Sequence, residues 1–272
     1  MKRRVFIRTV VLGSGTFMVL NHNVTADEAD PESILIKMIY NNTGSNPDFK
    51  KEWGLAMWIE HKNQAVLFDT GGNADTLWKN METAGLDLSK LTMILISHNH
   101  WDHIRGIPMV LEKTAYKPLV YVPATDSAEF MNKNSKATIK PVTGAQQITA
   151  YMWTGGEMKG MLGGNVIFEQ SIIIIQNNLV YLFTGCAHPG IIAIVERTKE
   201  LHPDKDIALV AGGFHLIDKP AEQIQEVSVK LSELNVRRIA PSHCTGDKAI
   251  EFLRNEWTDR FVDFNIGDDF KI

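Results

Sequence analysis

The chain has 272 residues, 44% hydrophobic and 22% charged, with a formal net charge of −4. This is globular composition, enough for one large domain or two small ones. The mild acidity and the lack of a basic stripe exclude nucleic acid as an expected partner, and beyond the N-terminus no apolar run reaches transmembrane length.

Residues 1–26 read as an export signal rather than part of the fold. Lys2, Arg3 and Arg4 open it, an apolar stretch covers residues 9–20, and Val24-Thr25-Ala26 suits a small-residue cleavage site. Arg3-Arg4 before Val5-Phe6-Ile7 resembles a twin-arginine signal. That implies the twin-arginine export machinery as a partner, export of a folded protein, and a periplasmic or secreted destination. The rival reading is an uncleaved membrane anchor, for which the apolar run is short. Removing residues 1–26 leaves 24 basic against 32 acidic side chains, a net charge of −8. One folded domain is expected over residues 27–272, with no stable membrane insertion.

Residues 34–40 form a predicted strand, followed by the turn-rich Asn41-Asn42-Thr43-Gly44. Residues 55–60 and 65–68 read as a hairpin through Lys62-Asn63, running into Asp69-Thr70-Gly71. An aspartic protease would need two such Asp-Thr-Gly carboxylates sharing a proton, and only one is present. A helix is predicted over 75–84, closed by Gly85. Residues 91–96 have the length and composition of a buried strand, and they end in His98-x-His100-x-Asp102-His103. Residues two apart on extended backbone face the same way, so His98 and His100 can share one ion. Asp102 and His103, where the chain turns toward a helix, can hold a second. Imidazole and carboxylate suit zinc or iron.

A helix follows over 104–112 with Pro108 in its first turn, then a strand over 119–122 and a brief helix over 126–133. Residues 143–169 hold Gly155, Gly156, Gly160, Gly163 and Gly164 among Met152, Trp153, Met158 and Met161. This suits either a mobile lid over a site or a plain solvated loop. Residues 172–175 and 179–183 read as a hairpin running into Thr184-Gly185-Cys186-Ala187-His188. A helix over 192–201 and a strand over 207–210 lead to Gly212-Gly213-Phe214-His215-Leu216. Residues 221–234 place Ile224, Val227, Leu231 and Leu234 at helical spacing. The last core strand ends in Ser242-His243-Cys244-Thr245-Gly246, and a closing helix covers 247–257. His61 and His202 read as surface residues. Cys186 and Cys244 each adjoin a histidine motif; a disulfide is one reading in an exported protein, free or metal-proximal thiols the preferred one.

His-x-His-x-Asp-His resembles the signature of the metallo-β-lactamase-fold hydrolases. Thr184-Gly185-Cys186-Ala187-His188, Gly212-Gly213-Phe214-His215-Leu216 and His243-Cys244-Thr245-Gly246 resemble the branch named after 7,8-dihydropterin-6-methyl-4-(β-D-ribofuranosyl)aminobenzene-5′-phosphate synthase. The resemblance covers nearly all of the chain from Ile34 onward, and residues 143–169 depart from that branch. It implies an α/β fold, a four-layer αββα sandwich with the site at the edge between the sheets. It also implies that His188 completes the first ion's ligands, that His243 joins Asp102 and His103 at the second, and that Asp69 supports them from behind. Cys186 stands where better-known members carry a bridging aspartate, and His215 is implied near the site as a substrate contact or proton carrier. The expected cofactors are two divalent ions, Zn2+ foremost, with Fe or Mn as substitutes. The expected activity is hydrolysis by a metal-bound hydroxide of a small-molecule ester, lactone, amide or phosphoester. Two other classes stay open: a di-iron oxidoreductase, and a metal-containing ligand-binding protein of the same fold.

Overall fold

The computed structural model describes residues 32–134 and 137–272; the export signal expected over 1–26 lies outside the described residues. The first half runs β1 (Ile34–Tyr40), β2 (Ala56–His61), β3 (Gln64–Phe68), α1 (Ala74–Thr83), β4 (Leu91–Leu95), α2 (Trp101–Ile104), α3 (Ile107–Lys113), β5 (Leu119–Pro123), α4 (Ser127–Lys133) and β6 (Thr138–Val142). The second runs β7 (Gln146–Gln147), β8 (Met152–Thr154), β9 (Met158–Leu162), β10 (Asn165–Glu169), β11 (Ile172–Gln176), β12 (Leu179–Thr184), α5 (Ile191–Leu201), β13 (Asp206–Gly213), α6 (Ala221–Glu233), β14 (Ile239–Ser242), α7 (Asp247–Trp257) and β15 (Asp269–Lys271).

Two mixed sheets form the middle. One has the order β15-β1-β2-β3-β4-β5-β6, the other β14-β13-β12-β11-β8-β7. Side chains alternate across each strand. Ile172 and Ile174 of β11 and Tyr181 and Phe183 of β12 join Ile36, Met57 and Phe68 of the opposite sheet in one buried cluster. Their neighbours Ile173, Val180 and Leu182 face the other way, onto Ile194 of α5, Leu231 of α6 and Leu253 of α7. The first sheet's outer face packs Leu67, Ile94 and Val120 against Leu77 of α1, Val110 of α3 and Phe130 of α4. Each fully buried aliphatic chain contributes about 1.5–3 kcal/mol, so the strand ends that carry the site rest on a firmly held frame. The expected αββα layering is borne out.

Several elements differ from expectation. The helix expected over 104–112 is split into α2 and α3 around Gly106. A Cβ there would lie 2.4 Å from the Thr70 carbonyl oxygen, so only glycine lets the two segments meet. Residues 143–169 are neither lid loop nor solvated loop throughout. β7 and β8 extend the second sheet, and β9 and β10 form a separate antiparallel hairpin with its turn at Gly163-Gly164. The 239–242 strand is not the last, because β15 returns to pair with β1. His202 is buried with its ring 5.3 Å from that of Trp153, not a surface residue, and His61 is half-buried against Tyr151. Cys186 and Cys244 are both buried and free, so the disulfide reading is set aside.

Candidate metal centre

The histidine motifs follow the C-terminal ends of four strands that run parallel to a neighbour: β4, β12, β13 and β14. Parallel strands end together on one side of a sheet, and their loops share a crevice there. His98, His100, Asp102 and His103 come from the loop after β4 and from α2; His188 follows β12, His215 follows β13 and His243 follows β14. Asp69, just past β3, sits beneath them.

Three imidazoles form the first cluster. His98 Nε2 lies 2.9 Å from His100 Nδ1, and His188 Nε2 lies 3.2 Å from the same atom. The second cluster has Asp102 Oδ2 at 3.4 Å from His243 Nε2 and 3.7 Å from His103 Nε2. Within each trio the donor atoms lie inside 4.8 Å of one another. Cys186 Sγ is 3.3 Å from His103 Nε2. It also groups with His98 and His103, and separately with His188 and His215, so it stands where the clusters meet.

The outer ring nitrogens decide which atoms can serve a metal. Asp69 is fully buried and accepts the Ser97 backbone N–H, the Ser97 hydroxyl and His103 Nδ1, each at 2.7 Å. Because the Ser97 proton goes to Asp69, the Ser97 oxygen accepts from His98 Nδ1 at 2.8 Å. Asn42 Oδ1 accepts from His243 Nδ1 at 2.8 Å, its orientation fixed by its amide donating to the His243 carbonyl. His98, His103 and His243 therefore carry a proton on Nδ1 and turn Nε2 to the clusters. Partners of this kind orient metal ligands and raise their basicity. His243 Nε2 is buried with no hydrogen-bond partner, as expected of an atom shaped to bind an ion. The donor set fits a pair of divalent ions.

Burial, reinforced by neighbouring imidazoles, pushes His98 well below the ordinary histidine value and His188 down to about 3. Both rings are neutral near pH 7, the state a metal needs. Burial lowers His103 too, but the Asp69 carboxylate outweighs it and raises that ring to about 9. Burial opposes the charge on Asp102, yet His243 and His103 outweigh it and hold the carboxyl far below its usual range. Burial drives the Cys186 thiol well up.

Sequence reasoning missed several partners. Trp53 Nε1 donates to Asp102 Oδ2 at 2.8 Å, and its ring lies 5.0 Å from that of His243. Glu169, at the end of β10, is buried and accepts the backbone N–H groups of Cys186, Ala187 and His188 at 2.8, 2.8 and 2.7 Å. Burial pushes its carboxyl up to about 7 against the pull of those donors. It anchors a loop whose Ala187 has φ of +61°, a conformation that costs a non-glycine residue free energy. Asp69, His215 and His243 also have positive φ. Gly185 allows a close approach, since a Cβ there would lie 2.1 Å from Ser97 Oγ. His215 is half-buried, its ring 4.4 Å from that of His188.

The metallo-β-lactamase superfamily model matches residues 54–243, a span that takes in both donor clusters from His98 to His243. The chain belongs to this superfamily. A 7,8-dihydropterin-6-methyl-4-(β-D-ribofuranosyl)-aminobenzene-5′-phosphate synthase from Methanocaldococcus jannaschii is 27% identical over 268 residues, covering 82% of this chain and 91% of that protein. Among solved structures, a metal-dependent hydrolase of the β-lactamase superfamily superposes with a TM-score of 0.74 at 24% identity, covering 88% of this chain and 99% of the other. A diphosphatase of the PhnP family superposes with a TM-score of 0.60 at 12% identity, covering 88% and 97%. These two likenesses are of fold. Among the described residues no helix is long and apolar enough to cross a membrane.

Proposed function

We propose that this metal-dependent hydrolase of the metallo-β-lactamase fold cleaves a small ester, lactone, amide or phosphoester at a pair of zinc ions. His98, His100 and His188 hold one ion; Asp102, His103 and His243 hold the other. The observation that carries the reading is the pair of adjoining donor clusters, with the Nε2 atoms of His98, His103 and His243 freed by protein partners on Nδ1. When bound, such ions acidify water and polarise a carbonyl or phosphoryl oxygen.

The chain's own residues supply the rest. Asp69 holds His103 directly and His98 through Ser97, so one carboxylate orients a ligand in each cluster. Trp53 and Asn42 do the same for Asp102 and His243. Cys186 adds a sulfur donor between the clusters, which favours zinc over a harder ion. His215 stands beside His188 to contact substrate or carry a proton.

The motifs at Cys186, His215 and His243, with the similarity to the archaeal synthase, support membership of that synthase's branch. The signal read over residues 1–26 supports export by the twin-arginine machinery to a periplasmic or secreted location. Elemental analysis of the mature protein, with a hydrolysis panel on the same sample, tests the proposal. Zinc with turnover is expected, and both should collapse in His98→Ala and His100→Ala. Full activity in both variants would overturn it. Iron with a redox signal would favour a di-iron oxidoreductase, and metal without turnover a binding protein.

A further inference from the structure

A cavity of about 330 Å³ opens beside the donor clusters, and His188 and His215 form part of its wall. Its size suits a small organic ligand. Met161 of the β9–β10 hairpin, Phe214, Leu216 and Val227 of α6 make much of the lining apolar. The hairpin is held close, because a Cβ on Gly160 would lie 2.4 Å from the His188 carbonyl carbon.

Beside the two histidines, the polar side chains lining the cavity are Lys219, Gln223 and Glu226. Nδ1 of His188 and Nδ1 of His215 are buried and have no hydrogen-bond partner, and His188 as a whole is only 8% exposed. Buried polar atoms are seldom left unpaired. His188 turns Nε2 to the first cluster. A neutral ring that spends Nε2 on a metal carries its proton on Nδ1, so the unpaired atom is a donor in search of an acceptor. Lys219 stands on the same wall, exposed and in no ion pair among the described residues, close enough for its charge to act on His215. The backbone adds to this field, since α5 begins at the cavity's edge after Gly190 with no side-chain cap. One carboxylate, Glu226, also lines the cavity; Lys230, four residues on along α6, pairs with Glu233.

We propose that this cavity receives the part of the substrate that is not cleaved, an apolar segment ending in a carboxylate or phosphate, and that Lys219 is a specificity-determining residue for that anion. The proposal rests on the hydrolase reading for the position of the scissile group, at the donor clusters.

Calorimetric titration of the metal-loaded mature protein tests it without turnover. The probes are straight-chain dicarboxylates from succinate to suberate, each beside the monocarboxylate of equal length, with ω-phosphono acids to separate phosphate from carboxylate. One anion occupies the metals and the other is free to reach Lys219. At one chain length the doubly anionic probe should bind about tenfold more tightly. Lys219→Ala should abolish that advantage, Lys219→Glu should reverse it, and Lys230→Ala on α6 should keep it. Equal binding of mono- and dianions at every length, or an advantage that survives Lys219→Ala, overturns the proposal. Ester turnover without any dianion preference would retain the hydrolase and remove the subsite. A Lys219-dependent preference in a protein that hydrolyses nothing would do the reverse.

Discussion

Glu169→Gln is the sharpest test of how the site is held. The carboxylate accepts three backbone N–H groups, two on Oε1 from Cys186 and Ala187 and one on Oε2 from His188. Glutamine keeps the shape but offers one acceptor oxygen. Placed to retain the first two bonds, it turns its NH2 against the His188 N–H, so one charge-assisted bond is lost and a buried donor is left unpaired. That costs about 2–4 kcal/mol. For a domain of this size the melting temperature should fall by roughly 5–15 °C. Melting is followed by circular dichroism on metal-free protein, so that the effect cannot be attributed to lost ions. Zinc titration of the same variant should show weakened binding at the cluster that contains His188. A metal-free variant melting within about 2 °C of wild type, with unchanged zinc affinity, would refute the reasoning.

Asp69→Asn tolerates the positive φ but cannot accept the Ser97 backbone N–H on one atom and the Ser97 hydroxyl and His103 on the other, so metal affinity should drop by about 10- to 100-fold in equilibrium dialysis. Trp53→Phe keeps the ring near His243 and removes the donor to Asp102. About tenfold weaker binding is expected, confined to the ion proposed at Asp102, His103 and His243, and seen as separation of two zinc-binding phases. Gly185→Ala drives a methyl into Ser97 Oγ and toward Asp69. A stability loss of about 1–3 kcal/mol, read from denaturant unfolding, should accompany reduced metal content.

The donor motif was legible because its information is local. Apolar residues 91–96 followed by histidines at alternate positions specify a strand and then a ligand-bearing loop, whatever lies around them. The same holds for β11 and β12, where alternation assigns Ile172, Ile174, Tyr181 and Phe183 to one face and their neighbours to the other.

The supporting partners lie far off in sequence. Trp53 is 49 residues from Asp102, Asn42 is 201 from His243, and Glu169 serves a loop 17–19 residues on. Glu169 left a faint trace, a lone acid just before the apolar run of β11. Strands β6 to β10 were hidden because they are short and, unlike β4 or β11, are broken by polar residues, glycine or proline. Pro141 also blurs β6, whose place at the sheet's edge tolerates a proline. The sequence by itself determined where the histidine-bearing motifs lie, just past the ends of strands. Only the tertiary structure decided which nitrogen of each ring faces the clusters, because a tautomer depends on what the other nitrogen touches. It likewise decided that the cavity beside His188 is walled by a hairpin and a helix distant from each other along the chain.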